Sequence, residues 1–249
     1  MRIIILILSM LAFAGNTHAS TEINYFVIQD QAQPFQNHVN KLEHDGIVTD
    51  IVKRIFSGPE YKLKIHTLPF NRMIKMLEDN RYKNWITFGS PNWPGVQSLN
   101  LSDLPIFHVK HALLTSKQQE SPISTAEDMF GKTVVILHGF NYPGLEEHIA
   151  NKKINAINVK NYQAAFKVVD RLADKAGFVE MDVRIKYNLE KESLDVSDYV
   201  LHNFSKVIAD YDLHLAMSGT FDKKAQQHVN DTLKAIQRDG TLASIVAAY

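Results

Sequence analysis

Trp85-Ile86-Thr87-Phe88-Gly89-Ser90-Pro91-Asn92-Trp93-Pro94-Gly95 contains both tryptophans of this 249-residue chain. Its first four residues favour a strand. The Gly, Ser, Pro and Asn that follow predict a loop leaving that strand's carboxyl end. In an open α/β sheet, ligands bind in such loops. Trp93 is therefore either a cap on a hydrophobic core or a wall on which a ligand stacks. The segments on either side decide what kind of sheet carries it.

Upstream, Ile23–Ile28 reads as a strand followed by the loop Gln33-Pro34-Phe35. In Asp45–Phe56 the apolar residues fall at 47, 48, 51, 52, 55 and 56, a helical stripe that Gly58-Pro59 stops. Tyr61–Thr67 alternates as a half-buried strand does. Pro69 suits a helix's first turn, and the helix carrying Met73, Ile74, Met76 and Leu77 ends at Asn80. With Trp85–Phe88 the order is β-α-β-α-β, the mark of a largely parallel sheet.

Downstream, residues 96–111 predict irregular structure and His111–Ser116 a strand heading elsewhere. After a polar connector at 117–122 the pattern restarts. Ser124 with Glu127 resembles a capping box. Strands are expected at 132–137, 156–159 and 177–179, and helices at 145–150, from Asn161 through Leu172, and at 183–189. This second β-α-β-α-β set implies a second, similar lobe. A strand at 213–217 and helices at 225–238 and 242–246 complete the chain. Crossings near 113–118 and 206–214 become two hinge strands. The expected division is residues 20–113 plus 212–249 for lobe 1, and 114–211 for lobe 2.

Composition narrows the function. With 27 basic and 27 acidic residues, no field argues for nucleic acid or an anionic membrane as partner. At the N-terminus, Met1-Arg2, the apolar run Ile3–Ala14 and the small-residue ending Gly15–Ala19 read as a cleaved secretory signal over residues 1–19, too short to span a bilayer. Cysteine is absent. A structural disulfide, a thiolate metal site, a cysteine nucleophile and a lipid-modified cysteine are thereby excluded. A soluble periplasmic protein fits these features, and a monomer is expected.

Five segments in register resemble the bacterial extracellular solute-binding proteins of family 3, the polar amino acid type of periplasmic receptor. They are Gln33-Pro34-Phe35, Asp45–Ile51, Leu68-Pro69-Phe70-Asn71-Arg72, Met129–Val134, and Asp239–Ile245 with the terminal Tyr249. The resemblance covers essentially the whole mature chain. It implies an α/β, two-lobed periplasmic-binding-protein-like fold of type II, each lobe a mostly parallel sheet flanked by helices. It also implies closure on a small solute and delivery to the membrane permease of an ATP-driven (ABC) importer. Some members are instead sensors paired with a membrane receptor, and a few are enzymes.

The departures are informative. Amino-acid-binding members carry Ser or Thr in the loop after the third strand and, three residues later, an Arg that grips the ligand's carboxylate in a bidentate pair. Here Asn92 and Gly95 hold those positions, so the clamp is missing and a standard α-amino acid is not the expected guest. Of two family aspartates five residues apart on lobe 2, the first is absent and Asp182 stands for the second, which binds the ligand's amino group.

The candidate ligand-binding residues follow. Phe35, Phe70 and Trp93 either stack on a flat ligand or pack the core. Arg72 either replaces the missing clamp or lies exposed on a first helical turn. Ser90 and Asn92 belong to the opening loop. His138, Phe140, Asn141 and Tyr142 form a strand-to-helix turn whose backbone N–H groups suit an anion, or else an ordinary turn. Glu180 and Asp182, two apart at a strand end, are expected on one side, as a binding end, an acid–base pair or a solvated loop. His108 and His111 diverge at strand spacing with no carboxylate to join them, so no metal site is inferred. No nucleophile elbow or phosphate loop occurs. The expectation is a binding protein without chemistry, cofactor or metal; an acid–base enzyme using Glu180 and Asp182 is the alternative from another class.

Overall fold

The computed structural model describes residues 20–38 and 43–249; the signal expected over residues 1–19 lies outside the described residues. Strand β1 (Thr21–Ile28) is buried from Ile23 onward. That fits its near-continuous apolar run, because a central strand of a covered sheet is enclosed on both faces. It pairs in parallel with β4 (Tyr61–Leu68) and with β5 (Trp85–Gly89). A short hairpin, β2 (Asn37–His38) with β3 (His44–Asp45), precedes helix α1 (Ile47–Ile55). This helix buries Ile47, Val48, Ile51, Val52 and Ile55, the stripe its sequence predicts. Helix α2 (Phe70–Glu78) follows Pro69 and buries Met73 and Leu77.

Two antiparallel strands, β6 (Phe107–Val109) and β12 (Tyr211–Met217), complete the first sheet in the order β4-β1-β5-β12-β6. Gly89, the last residue of β5, lets the Gln97 carbonyl oxygen come to within 1.9 Å of where a Cβ would lie. The loop after β5 is thereby drawn tightly back onto its own strand.

The second sheet is ordered β11-β7-β10-β8-β9. It comprises β7 (His111–Ser116), β8 (Thr133–Leu137), β9 (Asn155–Val159), β10 (Ala176–Met181) and β11 (Tyr199–Asn203). Strands β10, β8 and β9 run parallel, and β7 runs antiparallel to β10 and β11. Helices α3 (Glu146–Ala150), α4 (Tyr162–Leu172) and α5 (Asp182–Lys191) belong to this half. Asn161 caps α4 by accepting from the Ala164 N–H at 2.9 Å, as expected. Helices α6 (Lys223–Arg238) and α7 (Thr241–Ala247) return to the first half and pack on α1. The Tyr249 hydroxyl donates to Asp50 and accepts from the Gly46 N–H, each at 2.8 Å.

The chain changes sheets at Lys110 and returns through residues 204–210, so the expected division at 113/114 falls inside β7. Three local expectations differ from the structure. Residues 107–109 form a strand within the stretch expected to be irregular, and β11 has no counterpart in the prediction. The capping box at Ser124 is replaced by Asp128, whose carboxylate accepts from the Ser124 and Thr125 N–H groups at 2.8 and 2.9 Å. Glu127 lies on a single 3-10 turn with no side-chain cap. Among the described residues, no helix is long and apolar enough to cross a membrane.

Candidate functional site

The carboxyl ends of the parallel strands of both sheets face one cavity of about 420 Å³, within the ~300–1,000 Å³ usual for small-molecule sites. From the first half, α2 contributes Phe70, Asn71 and Ile74, and the loop after β5 contributes Trp93, Pro94 and Gly95. From the second half come the β8–α3 turn with Gly139–Tyr142, and the β10–α5 junction with Glu180, Met181 and Arg184. His111 and Tyr211, each first in a strand at a crossing, close the hinge side.

Aromatic rings make most of the wall. Trp93 packs edge-on against Phe88 and Tyr211, with centroids 5.7 and 6.0 Å apart. It thus reaches the core of the first half and the cavity together. Phe70 and Phe140 stack across the cleft, 4.8 Å apart and 21° from parallel. Burial pushes the Tyr211 hydroxyl up to about 12, a hydrogen bond with Trp93 opposing the shift. Tyr142 is buried and its hydroxyl accepts from the Leu137 N–H at 2.9 Å, which locks the turn that carries Phe140 and Asn141.

Of the twelve candidate residues, Phe70, Trp93, Phe140, Asn141, Tyr142 and Glu180 line the cavity. The other six do not. Phe35 is fully buried against Phe88 and Phe107 and supports the wall from behind. Arg72 is exposed on α2, where Met73 and Leu77 take the core side and Phe70 and Ile74 the cavity side. Ser90 is buried, its hydroxyl accepting from the Asn92 N–H at 3.3 Å, while Asn92 points to solvent. His138 is exposed as well. Asp182 pairs with Lys186 at 3.1 Å. The expectation that Glu180 and Asp182 share a side is corrected here: β10 ends at Met181 and α5 starts at Asp182, so strand alternation stops between them.

Arg184, absent from the sequence-based candidates, anchors the site. It is only 2% exposed. Nη1 donates to Glu180 Oε1 at 3.1 Å, and Nη2 donates to the backbone carbonyl of Gln31 in the other half. Its guanidinium lies over the Phe140 and Phe35 rings, 5.5 and 5.9 Å from their centroids. Burial alone would lower its pKa, but attraction to Glu180, aided by Tyr162 and Tyr142, prevails and raises it. Removing two charges from water is costly, and only good geometry offsets it. Glu180 sits at the end of β10 and Arg184 in the first turn of α5, so no helical i, i+4 pattern announces the pair in the sequence. Gln31 also reaches the carbonyls of Lys160 and His138 at 3.1 and 3.5 Å. The two halves therefore meet through polar contacts behind the cavity and through the Phe70–Phe140 stack.

Gly95 sits on the rim with a positive φ of 77°, and a Cβ there would face Glu78 Oε1 at 3.8 Å. No guanidinium occupies the position of the amino-acid clamp. Burial lowers the His111 pKa, Glu180 and Asp210 opposing it, so its imidazole is neutral at pH 7. His108 pairs instead with Asp212 at 2.8 Å, away from His111.

These two lobes with a cleft between them define a bilobal binding protein, and the chain belongs to the bacterial extracellular solute-binding proteins, family 3, whose model matches residues 25–249. A search of curated proteins finds no match. Among solved structures, the substrate-binding protein of an amino acid ABC transporter is 18% identical, with a TM-score of 0.70 over 92% of this chain and 98% of that one. A structure concerned with glutathione import and the cystine ABC importer of Streptococcus mutans is 14% identical, with a TM-score of 0.75 over 93% and 95%. An ancestral amino acid-binding protein described as a precursor of cyclohexadienyl dehydratase is 16% identical, with a TM-score of 0.67 over 92% and 95%. The fold is that of the type II periplasmic binding proteins.

Proposed function

We propose that this protein captures a small polar solute in the periplasm and presents it to the permease of an ABC importer. The observation that carries this is the cavity itself, whose walls come from both lobes. A ligand touching both walls at once favours the closed arrangement, and such differential contact is what drives lobe closure. Gly95 beside Glu78, in place of a guanidinium, supports a ligand other than a standard α-amino acid. The protein acts as a monomer, and the solute leaves unchanged: Glu180 is held by Arg184 and Asp182 lies outside the cavity, so the acid–base pair that catalysis would use is not assembled. Calorimetric titration with amines, amino acids, small peptides and organic acids tests the reading. One class binding near 1:1 without turnover supports it; product formation abolished by Asp182→Asn would replace it with the enzymatic alternative.

A further inference from the structure

We propose that the solute is an amine without a carboxylate, carried on an aromatic body, and that Glu180 Oε2 receives its ammonium group. The proposal rests on the solute-binding reading above and names the ligand class for that cavity.

The charges around the cavity point one way. Both terminal nitrogens of Arg184 are engaged, by Glu180 and by the Gln31 carbonyl, and its Nε is sealed from the cavity without a partner. Lys75, at the rim, pairs with Asp79 at 3.5 Å. His111 is neutral at pH 7 because burial disfavours its charged form. Helix α3, only five residues long, offers no developed dipole behind the Gly139–Tyr142 turn. Among the described residues only Lys75 could turn to a ligand's carboxylate, and it does so from an exposed rim position where water screens its charge. Deeper in the wall a carboxylate taken from water without a partner binds poorly.

Free acceptors, by contrast, are present. Glu180 is 4% exposed and lines the cavity. Its Oε1 accepts from the Met181 N–H at 2.8 Å and from Arg184 at 3.1 Å, while no described residue donates to Oε2. An ammonium N–H placed there makes a charge-assisted bond, the strong kind. Glu78 adds a second carboxylate at the rim, beside Gly95, with no ion pair to any described residue. The same cavity is lined by Phe70, Phe140, Trp93 and Tyr211, rings suited both to stacking on an aromatic body and to attracting a cation at their faces.

Titration calorimetry of the purified protein at pH 7 with matched probes tests this. The probes are phenethylamine against phenylalanine, tyramine against tyrosine, 3-phenylpropionate for the acid alone, and butylamine for an amine without a ring. Each aromatic amine should bind about 30-fold or more tighter than its amino acid, with the acid and butylamine weaker still. Glu78→Lys, a change at an exposed rim position, should narrow the amine preference at least about threefold. Glu180→Gln should weaken the amines about tenfold if it folds; the wild-type comparison decides the matter regardless. Amino acids that match or exceed their amines, butylamine that equals phenethylamine, or binding confined to solutes of another class would overturn the ligand class while leaving solute capture standing. No binding by any of these probes or by a wider panel of peptides and organic acids would overturn both.

Discussion

Arg184 shows how one residue can hold a site while appearing ordinary in sequence. Its guanidinium joins Glu180 on its own lobe to the Gln31 carbonyl on the other. Replacing it with Gln strands Glu180 as a buried, unpaired carboxylate, and loss of one partner of a buried pair costs about 3–5 kcal/mol. Chemical denaturation should show a loss of that size; a loss under about 1 kcal/mol would mean that water already screens the pair. Phe35→Ala should also cost about 3–5 kcal/mol, because the ring is fully buried. Trp93→Ala should instead act mainly on ligand affinity, since Trp93 is only half-buried and faces the cavity. Phe35 and Trp93 look alike as sequence, both aromatics in loops after strands. What separates them is depth, set by the long-range contacts of Phe35 with Phe107 and Arg184. Arg184 was hidden for a similar reason: its burial depends on Gln31, Phe35 and Phe140, all distant in the chain.

At the level of elements, strong periodicity was readable and weak periodicity was not. The stripe of α1, the alternation of β4 and the Asn161 cap of α4 each emerge close to their predicted bounds. β6 is three residues long and β11 is a short edge strand with one buried residue, His202; neither leaves a clear apolar pattern. The β10–α5 junction defeated the strand rule at Asp182, because the period changes there from two to 3.6. The elements around Gln31 also bear on closure. Gln31→Ala removes its bonds to the Lys160 and His138 carbonyls while keeping its own carbonyl for Arg184. It should shift the ligand-free protein toward a more open form, seen in small-angle scattering as a larger radius of gyration. An unchanged radius would assign closure to the Arg184–Gln31 carbonyl bond and the Phe70–Phe140 stack instead.

For the whole molecule, two similar lobes were legible because the β-α-β-α-β order repeats, and the cleft between them because five segments resemble the family. The fifth strand of each sheet, β6 and β11, was not. The chemistry of the guest was legible only as a missing clamp. Stability should also depend on pH in a defined direction. His111, His44, His66 and His202 all have lowered pKa values, burial being the first cause in each. The unfolded chain takes up protons below about pH 6.5 while the folded histidines resist them, so stability is present above that value and falls as the pH drops through it. The melting temperature should therefore be lower at pH 5.5 than at pH 7.5, and the reverse order would contradict the buried-histidine account. The most direct test of lobe closure on a solute uses the two tryptophans. In a Trp85→Phe variant, Trp93 is the sole indole. Its emission should shift saturably, near 1:1, as the tightest-binding compound of the calorimetric panel is added, together with a smaller radius of gyration in scattering. Saturable binding that leaves both the Trp93 emission and the radius unchanged would contradict it.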